Sequence, residues 1–220
     1  MQAKIDGAPA FAHIHVDLEP GESLVAESDA MASMTADLDM EAKLNGGFFP
    51  GLAKKFLGGE SLFVNVFTNN GRETKRLTLT QGTPGDIRRI ELKGESICLQ
   101  PGAYLASTPG LKLGVKWAGV ASGIGREGFF KLIVSGTGSL WYGAYGALVD
   151  QMIEGEYIVD TGHLVAYQPH LKLKVQLAGG LIGSFLGGEG LVTRVEGYGK
   201  AVLQTRSVSG LAGWLNPKLW

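Results

Sequence analysis

Cysteine is almost missing from this chain: Cys98 is the one example in 220 residues. An internal disulfide is therefore excluded, and a reducing compartment is the natural setting. An excess of either charge is also missing, with 20 Lys and Arg against 21 Asp and Glu for a formal net charge of −1. A protein whose main task is gripping nucleic acid needs a basic surplus, so that class is disfavoured. No apolar run approaches the roughly 18–20 residues of a spanning helix. Met1 to Pro9 carries no basic-then-apolar leader, which with the cysteine usage gives a cytoplasmic expectation. Helical periodicity is scarce too; the best candidates, Ala26–Met34 and Gly51–Leu57, are short. Neither a Gly-x-Ser-x-Gly elbow nor a phosphate-cradling Gly-Lys-Ser/Thr occurs, so nucleophilic catalysis and nucleotide hydrolysis have no foothold. No cofactor is expected.

What is abundant is glycine, 34 residues, roughly twice the usual share. Glycine-rich linkers come with few large apolar residues, whereas this chain is 45% hydrophobic. Its glycines punctuate runs such as Leu62-Phe63-Val64-Asn65-Val66-Phe67 and Phe129-Phe130-Lys131-Leu132-Ile133-Val134. Those are β-branched and aromatic compositions at strand length, bounded by turn residues. In Leu171 to Leu177 the odd positions are apolar and residues 172, 174 and 176 are Lys, Lys and Gln. Period 2 marks a half-buried strand, and the fold class expected is all-β.

Three anchors recur in one order. Gly-Glu precedes a short apolar run at Gly21-Glu22, Gly94-Glu95 and Gly155-Glu156, with spacings of 73 and 61 residues. Alternating segments begin at Leu38, Leu111 and Leu171, with spacings of 73 and 60. A second acidic turn enters a strand at Glu60, Glu127 and Glu189, with spacings of 67 and 62. The expectation is a single domain of three internal repeats, about 12–80, 86–147 and 149–207, with a tail at 208–220. An antiparallel sandwich or rolled barrel would let the repeats share one apolar interior.

The ordered anchors also resemble the altered-inheritance-of-mitochondria protein 24 family, which is grouped as a domain of unknown function. The resemblance is carried by Leu18-Glu19-Pro20-Gly21-Glu22 with Glu27, and by Phe56-Leu57-Gly58-Gly59-Glu60-Ser61 with Asn65 and Phe67-Thr68. Phe185-Leu186-Gly187-Gly188-Glu189-Gly190 completes it, and it covers about Ala12 to Ser207. Gly125-Arg126-Glu127 departs from the Gly-Gly-Glu of the other two places. The resemblance implies a three-repeat double-stranded β-helix, similar in fold to the trp RNA-binding attenuation protein, and no catalytic residues.

Recurrence separates fold from function. The repeated glutamates, Glu22, Glu95 and Glu156 with Glu60, Glu127 and Glu189, are read as acceptors of backbone hydrogen bonds at strand entrances. His13, His15 and Glu19 occur once. Histidines at i and i+2 share one face of a strand, and a carboxylate nearby resembles half of the cupin metal motif, with His163 a possible third imidazole. The glycine expected after Glu19 is not in its place, and the other repeats have no such histidines. The three residues are therefore read as strand surface, with a cupin-like metal-dependent enzyme as the alternative. Gly123-x-Gly125-x-x-Gly128 runs into a strand rather than a helix, so it is a turn and not a dinucleotide site. Cys98 lies in an apolar run and reads as core.

The loops before the third anchors are apolar and glycine-rich, unlike ordinary exposed connections. Phe48, Phe49, Phe56, Leu181, Ile182 and Phe185 are the interaction candidates among their large side chains, and Trp214 and Trp220 stand in the tail. Such surfaces either cover the core or meet a partner. Self-association, with a trimer favoured, is expected, giving a scaffold or binding module. A peripheral membrane factor is a further alternative, because Lys54 and Lys55 beside three phenylalanines would suit anionic lipid. Trp141, Tyr142 and Tyr145 cluster, but no lysine or arginine lies between Lys131 and the end of that repeat, which disfavours single-strand nucleic-acid binding as a function.

Overall fold

Alternation decides which side of each strand meets the interior. In β2 (His13–Leu18) Ile14, Val16 and Leu18 are buried, while His13, His15 and Asp17 lie half-exposed. β7 (Lys75–Thr80) does the same with Leu77 and Leu79. A slip of one residue would turn every one of these side chains to the wrong face, so burial of the leucines fixes the register. Each fully buried Leu, Ile or Phe contributes about 1.5–3 kcal/mol relative to exposure.

The computed structural model describes residues 1–44, 63–117, 130–177 and 191–218. Among them the chain is all-β apart from one short helix and two single 3-10 turns. One sheet has the order β1-β2-β7-β4, from β1 (Gln2–Asp6), β2, β7 and β4 (Met31–Met34). The second sheet begins with β12 (Leu148–Asp160), β15 (Leu191–Gln204), β13 (Leu164–Tyr167) and β8 (Ile87–Leu99). It continues through β11 (Phe130–Gly143), β9 (Tyr104–Ser107), β3 (Ser23–Glu27), β6 (Phe63–Thr68) and β5 (Asp39–Leu44). β10 (Leu111–Trp117) pairs with β11, and β14 (Lys172–Leu177) with β15. These strand pairings are antiparallel. The described buried residues form three apolar clusters, the first drawing on both sheets and the other two on the second sheet and its connections. Phe67, Leu105 and Trp141 anchor one, Tyr104, Leu132 and Tyr142 the next, and Cys98, Ile153 and Tyr167 the third.

The Gly-Glu anchors behave differently from the strand entrances expected of them. Gly94 and Gly155 adopt φ of 106° and 95° inside the continuous strands β8 and β12. Gly21 alone separates two strands, β2 and β3, because Pro20 before it has no N–H to offer a ladder. Glu22 accepts from the Glu19 amide at 2.8 Å and Glu95 from the Lys93 amide at 2.8 Å, as expected of turn acids. Glu156 instead receives the Arg194 guanidinium at 2.9 Å. Glu60, Glu127 and Glu189 lie outside the described residues.

Ala26–Met34 is not a helix. It contains the end of β3 and all of β4, whose pairing with β7 outweighs a weak local preference. Gly51–Leu57 lies outside the described residues. The helix that does form, α1 (Val208–Leu215), starts at Ser207, whose Oγ accepts from the Gly210 amide at 3.1 Å.

Asn69, fully buried, closes the bend after β6. Its Nδ2 donates to the carbonyls of Leu18 at 2.7 Å and Glu73 at 2.8 Å, and its Oδ1 accepts from the Gly71 amide at 2.9 Å. Asn69→Ala removes all three bonds and is expected to cost about 2–3 kcal/mol in chemical denaturation. Asn70→Ala, at an exposed position next door, should cost less than about 0.5 kcal/mol. Gly85 bridges Gly146, and a Cβ on it would sit 1.9 Å from the Ala144 carbonyl oxygen. Gly85→Ala should lower stability by about 3 kcal/mol or more, whereas Gly82→Ala, which meets nothing within 4 Å, should be nearly neutral by thermal melting.

Candidate functional site

The outward face of β1, β2 and β7 is where singly occurring polar residues converge. Direct pairing sets Asp6 opposite His13 and Lys4 opposite His15. On the other flank His15 faces Thr78, His13 faces Thr80 and Asp17 faces Arg76. The two imidazoles meet edge to face, centroids 4.9 Å apart at 84°. His15 Nδ1 lies 3.0 Å from Thr78 Oγ1, and His13 Nδ1 lies 3.4 Å from the Phe11 carbonyl oxygen. One ring nitrogen of each histidine and one Asp6 oxygen all fall within 4.8 Å of one another.

The charges around this trio are arranged in pairs. Lys4 Nζ sits 2.7 Å from Asp6 Oδ1, and that hydrogen bond, more than any other influence, holds the Asp6 carboxyl below the usual carboxylate range. The nearby imidazoles act in the same direction. Arg76 grips Asp17 with Nε at 2.7 Å and Nη2 at 2.9 Å, which lowers the Asp17 carboxyl likewise. Each of these groups is partly exposed, so water and salt screen them.

Glu19 does not join the histidines. It follows the end of β2, four residues beyond His15 and so about 13 Å further along an extended chain, where it accepts from Thr74 Oγ1 at 2.9 Å. His163 ends the 3-10 turn after β12 and points Nδ1 at the Gln204 carbonyl oxygen, 2.7 Å away. The third group beside His13 and His15 is Asp6, from the neighbouring strand. Sequence reasoning did not single out Asp6, because spacing along one strand does not disclose which residue lies across the ladder.

A second feature is a pair of strands with a missing neighbour. β9 lies between β11 and β3, and β13 lies between β15 and β8; all four residues of each are buried. β4, of the same length, pairs with β7 alone among the described strands, and Met31, Ala32 and Ser33 are exposed. β12 pairs with β15 over all its 13 residues and with no other described strand. Met152 and Ile158 on it are 50% and 54% exposed, and Val149 and Tyr157 are exposed beside them.

Among the interaction residues expected from sequence, Trp214 is described; it stands on α1, 60% exposed, with Lys218 Nζ 4.3 Å from its ring centroid. Phe48, Phe49, Phe56, Leu181, Ile182, Phe185 and Trp220 lie outside the described residues. Trp141 and Tyr142 are buried, so neither offers a face for a base to stack on. Cys98 is buried opposite Tyr167, and burial pushes the Tyr167 hydroxyl up. No described helix is long and apolar enough to cross a membrane.

Comparison with known proteins supplies the family. The chain is 27% identical over 224 residues to an uncharacterised protein of Streptococcus pyogenes serotype M6, spanning 98% of this chain and 90% of that one. The X-ray crystal structure of a Streptococcus pyogenes protein matches it with a TM-score of 0.80 at 26% identity, covering 99% of both chains. The family model for mitochondrial biogenesis AIM24 matches residues 3–206, a span that contains all the glycine and glutamate anchors. With nearly the whole chain so matched, this protein belongs to the mitochondrial biogenesis AIM24 family.

Proposed function

We propose that this AIM24-family chain is a non-enzymatic β module, one domain of three repeats in a double-stranded β-helix-like arrangement, which assembles head to tail with copies of itself. Four strand roles support the repeat reading. β2 with β3, β8 and β12 lead each unit; β4, β9 and β13 come second; β5, β10 and β14 third; β6 with β7, β11 and β15 last. In each unit the last strand pairs with the other three.

The observation that carries assembly is an edge contact used twice and left open a third time. β3 of the first unit pairs with β9 of the second, setting Val25 opposite Ser107 and Ala26 opposite Ala106. β8 of the second pairs with β13 of the third, setting Cys98 opposite Tyr167 and Leu99 opposite Ala166. Counting from the Gly-Glu anchors, Val25 and Cys98 correspond to Val159. Counting back from Leu38, Leu111 and Leu171, Ser107 and Tyr167 correspond to Met34. The third contact would set Val159 opposite Met34 and Asp160 opposite Ser33, joining β12 to β4. Among the described strands, neither has a partner on that edge.

An open edge with apolar side chains recruits another strand. Two different surfaces on one chain, each complementary to the other, give a heterologous contact that closes into rings or runs on as filaments. A ring is the reading adopted, with a trimer as the expected size. The single buried Cys98 suits a reducing, cytoplasmic setting.

Light scattering on the purified full-length chain at micromolar concentration should report an oligomer. Ile158→Lys and Ala32→Lys each place a charge on one of the two edges and should give monomers with unchanged circular dichroism. Val208→Lys, at an exposed position on α1, should leave the assembly intact. A native chain that is monomeric at 100 micromolar, or edge variants that assemble as well as the native chain, would sink the reading.

A further inference from the structure

We infer that Asp6, His13 and His15 form a binding site for a divalent first-row transition metal of the zinc or copper class, independent of the assembly contact. Two imidazole nitrogens and one carboxylate oxygen are a ligand set that such borderline ions favour, with water completing the coordination. Hard cations such as magnesium or calcium prefer sites made of oxygen alone.

The backbone holds the three side chains in place. His13 and His15 cannot turn inward, because Ile14 and Val16 between and beside them are buried in the core. β2 is paired on both sides, to β1 and to β7. Asp6 comes from the residue directly across the ladder from His13. The trio already lies within 4.8 Å, so modest side-chain rotation brings the donor atoms to one ion.

A second shell of oxygens orients the rings. Ligating histidines characteristically direct their other ring nitrogen at a protein oxygen, which fixes the tautomer. Here His15 Nδ1 faces Thr78 Oγ1 and His13 Nδ1 faces the Phe11 carbonyl oxygen, leaving Nε2 of both for a metal. The turn that presents Phe11 is built for this approach. Gly7 has φ of 74°, its carbonyl accepts from the Phe11 amide at 3.0 Å, and a Cβ there would lie 2.4 Å from the Phe11 oxygen.

Lys4 is the built-in competitor. Its ammonium occupies Asp6 at 2.7 Å, yet its side chain is 77% exposed and free to swing into water. A metal therefore displaces a screened surface ion pair, which costs little. Removing Lys4 should strengthen binding, an effect that chance surface histidines would not show.

The test uses the full-length chain freed of any histidine tag, titrated with zinc chloride against a fluorescent chelator. The expected result is one ion per chain with a micromolar Kd. Asp6→Asn and His15→Ala should each weaken binding about tenfold or more, and the His13→Ala/His15→Ala pair should abolish it. Lys4→Gln should tighten it by about threefold, in keeping with loss of a competing cation. Glu19→Gln and His163→Ala should leave it unchanged. Lys4, Asp6, His13 and His15 face outward, so melting temperatures of their variants without metal should match the native chain. Millimolar affinity only, full binding in the double-histidine variant, or no effect of Asp6→Asn would overturn the inference. Light scattering on the same samples reports assembly separately, so either proposal can fail alone.

Discussion

Backbone pairing is the constraint from which the rest of this molecule follows. Each N–H and C=O taken from water needs a partner, and with one short helix among the described residues that partner is mostly a neighbouring strand. Pairing to both sides is what buries β9 and β13 completely, and pairing to one side is what leaves β4 in water. The same rule pins β2 between β1 and β7, and with it the outward direction of His13 and His15. Core, open edges and polar face are three consequences of one ladder.

Glycine works within that constraint rather than beside it. At Gly94 and Gly155 positive φ lets a long strand bend without ending, so β8 stays paired with β11, and β12 with β15, on both sides of the bend. At Gly21 the preceding proline turns the same bend into a break. One residue type thus sets where sheets curve and where they part.

Much of the fold was legible because strand burial has period 2. Leu77 and Leu79, or Ile14 and Val16, announce their faces from the order of residues alone. The acidic anchors were legible as places but not as conformations, since Gly-Glu in a bulge and Gly-Glu in a turn read alike until a partner strand is known. The histidine pair was legible for the same reason as the leucines. Asp6 was not, because its place beside His13 depends on the β1–β2 register, and a local motif suggested Glu19 instead. Helix α1 was missed too: its start rests on one Ser207 cap and its sequence carries little helical pattern.

The central claim is that β4 and the end of β12 are partner edges waiting for each other on separate copies. Hydrogen–deuterium exchange read as a function of protein concentration tests it most directly. Those amides of Met31–Met34 and Tyr157–Asp160 that do not bond to β7 or β15 should exchange fast in dilute protein and become protected together as concentration rises, while those of β9 and β13 stay protected throughout. Exchange at β4 and β12 that does not depend on concentration, whether fast or slow, would contradict it.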